Sequence, residues 1–203
     1  MTGVPVGRRE RKKAATRQAI ADAALLLFLE RGYDHVSIRD IADAADVSTT
    51  TLFKHFTGKE ALVFDQDQDR ESELIAAVRQ RSAGQSILDA LRQHVLGTWL
   101  PIAAHPQRIQ FTDLVESTPA LSGYAERMWT RHTASLGAAI ADEVGVEHDN
   151  LACVALARFV LGIPALTRSR HNHRADVEAL FDILTNGWKP PRTTPANLDR
   201  AAS

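Results

Sequence analysis

The chain has a single cysteine, Cys153, among its 203 residues. A single thiol excludes a disulfide within the chain and a cluster of cysteine metal ligands, and it suits a reducing compartment. The neighbouring residues Ala152, Val154 and Ala155 are small or apolar. Cys153 is therefore predicted to be a thiol of the protein core.

Long apolar segments are also absent. The run from Ala23 to Leu29 is much shorter than the roughly 18 residues that a membrane-spanning helix needs. The N-terminus is basic, but it lacks the apolar stretch of a secretory signal peptide. These features predict a soluble, cytoplasmic protein without a membrane partner.

Positive and negative charges nearly balance, with a formal net charge of -1, but the basic residues are unevenly distributed. A basic group crowds the N-terminal segment, where only Glu10 opposes it: Arg8, Arg9, Arg11, Lys12, Lys13 and Arg17. Such a segment on a nearly neutral protein favours an anionic partner at that end. The alternative is a solubilising tail that binds nothing. Residues 1–13, which contain Gly3, Pro5 and Gly7, are predicted to form a disordered basic arm.

Helical periodicity begins after this arm. Ile20, Ala24 and Leu27 fall on one face, and Gly32 is typical of the residue just past a helix end. A first helix is therefore predicted over residues 14–31. No stretch of the chain shows the sustained alternation of a strand, so the fold class is all-α.

Two short helices should follow, separated by a tight turn. Ser37 and Asp40 have the spacing of a capping box, in an acidic variant, at the start of a second helix. Asp46 suits a left-handed backbone in the turn better than most residues would. Ser48 can cap the third helix.

The third helix carries a polar face. Leu52 and Phe56 lie four positions apart and turn inward, which leaves the polar residues outward. Short hydroxyl side chains let a helix approach base edges closely, and a lysine can neutralise a phosphate or reach a guanine. Two short helices in this arrangement are typical of a DNA-binding helix-turn-helix. The outward residues are Ser48, Thr49, Thr50, Thr51, Lys54 and His55.

A fourth helix, capped by Thr57, is predicted to connect the DNA-binding part to the rest of the chain. Lys59 at its start places an ammonium group beside unpaired backbone N–H groups, where a phosphate would bind. Residues Asp65 to Glu73 of this helix are predicted to be a solvated stretch.

Several anchors in one register resemble the TetR family of transcriptional regulators. They cover roughly residues 14–64 and comprise Thr16 to Ala19, Phe28, Arg31 to Tyr33, Ser37 to Ala42, Val47 to Phe56 and Lys59 to Leu62. The resemblance implies that these residues face DNA: Ser37, Arg39, Thr49, Thr50, Thr51, Phe53, Lys54, His55 and Lys59. The chain departs from the family at Phe53, where a tyrosine is usual, and at Asp46, where a glycine is usual.

The remaining two thirds of the chain shows helical periodicity but no motif that we can name. Helices are predicted near 86–104, 106–115, 118–144, 149–170 and 174–187. The expected architecture is an N-terminal three-helix helix-turn-helix domain joined by a connecting helix to a C-terminal helical bundle. The predicted domains are the disordered basic arm (1–13), the DNA-binding domain (14–59), the connecting helix (60–81), an effector-binding and dimerisation domain (82–188) and a disordered tail (189–203).

Aromatic and polar residues of the second domain suit either an ordinary core or the lining of an effector pocket. For any one residue core packing is the commoner role, yet the space between bundle helices is the expected place for a small molecule. The candidate ligand-binding residues are His94, Trp99, Phe111, Tyr124, Met128, Trp129 and His132.

The last two helices have a rich apolar surface with small residues that allow close contact. This surface forms either the core of one subunit or, as the resemblance implies, the four-helix interface of a homodimer. The candidate interface residues are Leu151, Val154, Ala155, Arg158, Phe159, Gly162, Val177, Leu180, Phe181 and Leu184. Symmetric dimerisation would place two recognition helices roughly 35 Å apart, as a palindromic operator requires.

Patterns of enzyme or metal chemistry are missing. The sequence has no Gly-rich phosphate loop, no recognisable nucleophile and base, and no paired acids on a convincing face. His171 and His173 are two positions apart, which points them to different sides of a helix, and no partner lies at ligand spacing. We expect a protein that is not an enzyme and that holds no metal or cofactor.

The resulting hypothesis is a transcriptional regulator that binds double-stranded DNA. It would be a homodimeric repressor that an unidentified small-molecule effector releases from a palindromic operator. The alternatives are a transcriptional activator and a regulator without an effector. An enzyme that uses the helical cavity is less favoured.

Overall fold

The computed structural model describes residues 7–103, 105–168 and 170–189, without the side chains of Ile102 and Ala103. No strand occurs within these ranges, which confirms the all-α class. A short 3-10 helix, Tyr33–His35, follows the first helix. The α-helices are α1 (Arg8–Arg31), α2 (Ile38–Ala44), α3 (Thr49–His55), α4 (Glu60–Val63), α5 (Asp67–Arg79), α6 (Ile87–Ala103), α7 (Arg108–Ser117), α8 (Pro119–Val144), α9 (Leu151–Thr167) and α10 (His173–Asn186).

The local signals around α2 and α3 are confirmed. Ser37 and Asp40 form a reciprocal capping box at the start of α2. Asp46 adopts a left-handed backbone with φ of 51°, and the Ser48 hydroxyl accepts a hydrogen bond from the Thr51 N–H at the start of α3. The turn between the two helices is therefore set by residues close to one another in the chain.

The first helix is longer than expected, because it begins at Arg8 and not near Ala14. Residues 8–13 were predicted to belong to a disordered arm, and that part of the prediction is wrong. The Arg11 N–H donates to the Gly7 carbonyl at 3.1 Å, and the residues that follow Gly7 are strong helix formers. The basic residues consequently lie on a rigid helical extension. Residues 1–6 lie outside the described residues, as does the predicted tail beyond Lys189.

The connecting helix predicted over residues 60–81 is not continuous. One turn, α4, ends at Val63, and α5 begins only at Asp67. At the break, Phe64 stacks on the Tyr124 ring with centroids 5.1 Å apart, and Arg17 binds the Asp65 carbonyl at 2.8 Å. Contacts to other helices therefore hold this segment in place of the hydrogen bonds of a helix. The predicted cap at Thr57 is also wrong, since Lys59 precedes α4 and no side chain caps it.

Two apolar cores organise the described residues. The first lies under α1 to α4, and it also takes Leu114 from α7 and Leu121 from α8. The second lies among α5, α6, α8, α9 and α10, and it buries Cys153 as expected. Because α8 supplies side chains to both cores, the DNA-binding part and the helical bundle share one long helix. Within the described residues, no helix has the length and apolar character that crossing a membrane requires.

The start of α9 offers a test of local stability. The Asn150 side chain accepts hydrogen bonds from the Ala152 and Cys153 N–H groups at 3.0 and 3.4 Å. We expect Asn150→Ala to lower the free energy of unfolding by about 1 kcal/mol, since this cap is lost. Asn150→Asp retains an acceptor and should unfold like the wild type. Urea denaturation followed by circular dichroism measures both variants, and equal midpoints for Asn150→Ala and wild type would contradict the assignment.

Candidate DNA interface and its link to the helical bundle

The inner face of α3 anchors the candidate DNA interface. Leu52 and Phe56 are almost fully buried, and they belong to the same core as Ile20, Phe28 and Ile41. A helix of seven residues is marginal by itself, so these contacts determine where it lies. The rest of α3 is left to face solvent.

The outer face of α3 presents hydroxyl, aromatic and cationic groups. Thr49, Thr50 and Lys54 are exposed, and the Phe53 side chain is 56% exposed. Ser48 and Thr51 lie beside them, with their hydroxyl oxygens 2.9 Å apart within the helix cap. The exposed group can therefore approach a surface outside the protein, while the Ser48 and Thr51 hydroxyls already have an internal role.

The two predicted contacts on α2 differ in the same way. The Ser37 hydroxyl donates to the Asp40 carboxylate at 2.6 Å, and this bond with a second one from the Ser37 backbone N–H lowers the pKa of Asp40. Arg39 is highly exposed and only loosely paired with Asp43, at 3.9 Å. Arg39 is thus more available to an external partner than Ser37 is.

His55 lies at the end of α3 and is partly buried. Burial, followed by the nearby charges of Arg17 and Lys13, lowers the pKa of its imidazole. At neutral pH the side chain is therefore mainly uncharged. It can exchange hydrogen bonds with a base or a sugar, but it adds little to the attraction for phosphate.

Lys59 does not point away from the protein as a simple phosphate clamp would. Its ammonium donates to the Tyr33 carbonyl at 2.5 Å and lies 4.0 Å from the centre of the Tyr33 ring. Burial lowers its pKa, although Asp34 and Glu60 oppose that change. The structure gives Lys59 an internal role, and a phosphate contact through it stays a prediction.

Arg17 joins the recognition helix to the rest of the domain, a role that sequence reasoning missed. Its guanidinium donates to the His55 carbonyl at 2.5 Å and to the Asp65 carbonyl at 2.8 Å, and it lies 4.3 Å from the centre of the Phe56 ring. The sequence feature that could have indicated this role is the position of Arg17 three residues before Ile20, on the buried face of α1. The other basic residues of the N-terminal segment are exposed along α1: Arg8, Arg9, Arg11, Lys12 and Lys13.

An ionic cluster joins α5 to α8, and its two α5 members, Asp67 and Glu71, lie in the stretch predicted to be solvated. Its α8 members are the buried His132 and Arg131, whose side chain is 47% exposed. Asp67 and His132 are only 7% and 6% exposed at their side chains, and the His132 Nε2 lies 2.6 Å from the Asp67 carboxylate. Arg131 pairs with the same carboxylate and donates to Glu71 at 3.2 Å. Burial works to raise the pKa of Glu71, but hydrogen bonds from Ser135 and Arg131 outweigh it and lower the pKa. We call Asp67, Glu71, Arg131 and His132 the junction cluster.

The candidate effector residues do not line one cavity. Phe111 and Tyr124 pack on Phe64 at the boundary of the first core, while Met128 is buried and Trp129 is 41% exposed. His132 belongs to the junction cluster, whereas His94 and Trp99 are partly buried on α6. A crevice between α5 and α8 lies beside His132, and it has no room for a water-sized molecule.

The candidate dimer residues separate into two groups. Val177 and Phe181 are buried in the second core of their own subunit, so they cannot present side chains to a partner. Val154 packs against α8, where a Cβ at Gly137 would lie 3.4 Å from the Val154 Cα. Exposed candidates are Leu151, Ala155 and Arg158, and partly buried ones are Phe159, Gly162, Leu180 and Leu184.

The internal role of Lys59 can be measured without DNA. Lys59→Ala should lower the free energy of unfolding by about 1 kcal/mol, because it removes a hydrogen bond and a cation–π contact. Lys54→Ala, on the exposed face of α3, should change it by less than about 0.5 kcal/mol. Chemical denaturation of both variants makes the comparison. Equal stabilities would place the Lys59 ammonium in solvent.

His94 should make stability depend on pH. Burial lowers its pKa below the ordinary 6.5, with Glu73 opposing the change, so folding favours the uncharged ring. The stabilisation is complete above the ordinary pKa and is lost as pH falls through the lowered value. We expect the unfolding free energy in urea to fall between about pH 7 and pH 5, and His94→Gln to flatten this fall. The exposed His35→Gln is the control, and identical profiles for both variants would refute the prediction.

Comparisons with known proteins agree with this geometry. Residues 20–65 match the family described as bacterial regulatory proteins of the tetR family, and residues 85–189 match the MftR C-terminal domain. The chain is 32% identical over 154 residues to the transcriptional regulator TcmR of Streptomyces glaucescens, covering 71% of this chain and 67% of TcmR. It is 25% identical over 194 residues to the transcriptional regulator MftR of Mycobacterium tuberculosis, covering 94% of each.

A solved structure shares the fold. Thermus thermophilus FadR, a TetR-family transcriptional repressor solved in complex with lauroyl-CoA, superposes with a TM-score of 0.52 at 24% identity, over 89% of this chain and 98% of FadR. The chain belongs to the TetR family of transcriptional regulators, which bind DNA through an N-terminal helix-turn-helix.

Proposed function

We propose that the protein is a homodimeric repressor that binds a palindromic operator and is released from it by a small-molecule effector. The observation that carries the proposal is the division of α3 into a buried face, Leu52 and Phe56, and an exposed polar face. A helix anchored in this way can enter the major groove without moving its core. The protein would act in the cytoplasm, where the chromosome is accessible.

The exposed face of α3 suits base readout, whereas α1 and α2 suit backbone contacts. Thr49, Thr50 and Lys54 would reach base edges, and Phe53 would contact a thymine methyl group because it has no hydroxyl for a phosphate. Arg39 and the exposed basic residues of α1 would neutralise phosphates. The alternative for the basic residues, a solubilising role, predicts a weaker salt dependence of binding.

The exposed part of α9 supports the dimer. Leu151 is 80% exposed and Leu166 is 57% exposed, so burial of these side chains against a partner would be favourable. At Gly162 an added Cβ would meet nothing within 4 Å, so a partner helix can approach closely there. We include Ala155 and Arg158 in the interface and leave Val177 and Phe181 in the core.

Effector release requires a conformation that the effector prefers and that misplaces the recognition helices. The crevice beside His132 has no room for a ligand as it stands, so an effector would bind a form in which α5 and α8 lie farther apart. FadR, which shares the fold, was solved with a bound lauroyl-CoA. The effector of the present protein is proposed only as a small molecule that enters between these helices.

Variants on α3 test the placement of the recognition helix. Thr50→Ala and Lys54→Ala should each change the preferred DNA sequence, with about 1 to 3 kcal/mol of discrimination lost at the affected base pair. The matched control is Arg92→Ala, an exposed cation on α6. Selection of bound fragments from random DNA, followed by fluorescence anisotropy, measures preference and affinity.

The outcomes of that experiment separate clearly. Tight wild-type binding that survives a scrambled competitor and weakens with added salt supports the regulator. If Thr50→Ala and Lys54→Ala keep the wild-type preference and affinity, the recognition helix is misplaced. If the wild type selects no sequence, the proposal of an operator-binding regulator fails.

A further inference from the structure

We propose that Asp67 is a positioning residue for operator binding, at the centre of a relay of charge-assisted contacts that runs from α8 to the C-terminal end of the recognition helix. The relay comprises Arg17, the carbonyl of Asp65, the carboxylate of Asp67, and Arg131 with His132. It rests on the proposed function, because its output is the position of α3 on DNA.

The first step of the relay lies at the end of α3. The Arg17 guanidinium donates to two carbonyls, that of Asp65 and that of His55, which is the last residue of α3. Both bonds come from one planar group, so the end of α3 and the start of the segment before α5 keep a constant separation. The Phe56 ring beneath the guanidinium restricts its movement further.

The second step is the short segment between α4 and α5. Arg17 binds the carbonyl of Asp65, and Arg131 pairs with the carboxylate of Asp67. Only Gln66 separates these two residues in the chain. Phe64 in the same segment stacks on Tyr124 of α8, with the rings inclined by 11°. Because Phe64, Asp65 and Asp67 are each held by contacts, a displacement of α8 also moves this segment.

The third step is the pairing of Asp67 with α8. A carboxylate that is 7% exposed needs a partner, and here Arg131 and His132 supply it from adjacent positions of one helix. The only other carboxylate at His132 that the structure shows is Glu71, at 3.7 Å, and the Trp129 ring meets the imidazole edge to face. Because a buried charge cannot be left unpaired cheaply, α5 and α8 separate only if the whole cluster rearranges.

A purely structural role would make a different prediction. If the junction cluster only stabilised the packing of α5 on α8, loss of another ion pair between these helices would affect operator binding in the same way. The chain offers such a pair, since Arg79 of α5 donates to Asp142 of α8 at 2.8 Å, with side chains 51% and 41% exposed. This second pair lies at the far end of α5 and has no connection to Arg17 among the described contacts.

The experiment compares Arg131→Gln with Arg79→Gln in the full-length protein. For each variant, fluorescence anisotropy measures the affinity for a selected operator and for a random duplex, under conditions where circular dichroism shows a fully folded protein. We expect Arg131→Gln to weaken operator binding about tenfold and to leave random-duplex binding unchanged, because only the spacing of the recognition helices suffers. Arg79→Gln should match the wild type in both assays.

A double-mutant cycle tests transmission along the relay. Arg17→Lys keeps the positive charge but cannot bind both carbonyls with one planar group. Among the contacts of the described residues, Arg17 does not touch Arg131. If the relay operates, the losses of operator affinity from Arg17→Lys and Arg131→Gln combine to less than their product. Independent sites would give the product of the two losses.

Each result decides a different point. Wild-type operator affinity in Arg131→Gln overturns the relay, and so does an equal loss in Arg79→Gln. A multiplicative cycle also overturns it. Absence of operator binding by the wild type would instead defeat the proposed function. Asp67→Asn, which keeps the shape of the side chain, provides a second variant if Arg131→Gln folds poorly, and the same affinity loss is expected.

Discussion

A helix of seven residues has too few internal hydrogen bonds to be stable alone, and the recognition helix α3 has that length. Its place in the molecule depends on the burial of Leu52 and Phe56 against α1 and α2. The Arg17 guanidinium then holds the last carbonyl of α3. The position of the exposed face of α3 therefore depends on contacts made on the opposite side of the helix.

The same constraint explains why the two parts of the chain are closely connected. Leu114 and Leu121 lie in the first core although they belong to α7 and α8. The second core takes Leu136 and Ile140 from the same α8. A rearrangement among the bundle helices therefore cannot leave the DNA-binding part undisturbed, since one rigid helix packs in both. This arrangement is what a regulator controlled from its C-terminal part requires.

Buried charge adds specificity to this packing. Apolar contacts between α5 and α8 tolerate sliding, whereas the Asp67 carboxylate is satisfied only where Arg131 and His132 meet it. Replacing such a cluster by apolar residues often costs little stability, and in the proposed relay its role is to define one arrangement of the helices. In the pair of Arg79 and Asp142 the carboxylate is 41% exposed, so water can satisfy it when the two groups separate.

Local signals in the sequence determined the helix-turn-helix. The capping box of Ser37 and Asp40, the left-handed Asp46 and the Ser48 cap act over three residues or fewer, so the pattern alone predicted them. The family resemblance came from anchors over roughly residues 14–64, which include this segment. The periodicity of α9 and α10 showed which residues share a face, but it could not show that Val177 and Phe181 are covered by their own subunit.

Only the tertiary structure decided the roles of Arg17 and Asp67. In the sequence, Arg17 counts among the basic residues of the N-terminal segment, and Asp67 lies in a stretch predicted to be solvated. Their partners lie 38 and 48 residues away for Arg17, and 64 and 65 residues away for Asp67. Sequence patterns register interactions within a turn or two of helix, whereas the energy of a buried charge depends on whichever groups the fold brings beside it. The exposed face of α3 was therefore predictable from the sequence, and the contacts that position this helix were not.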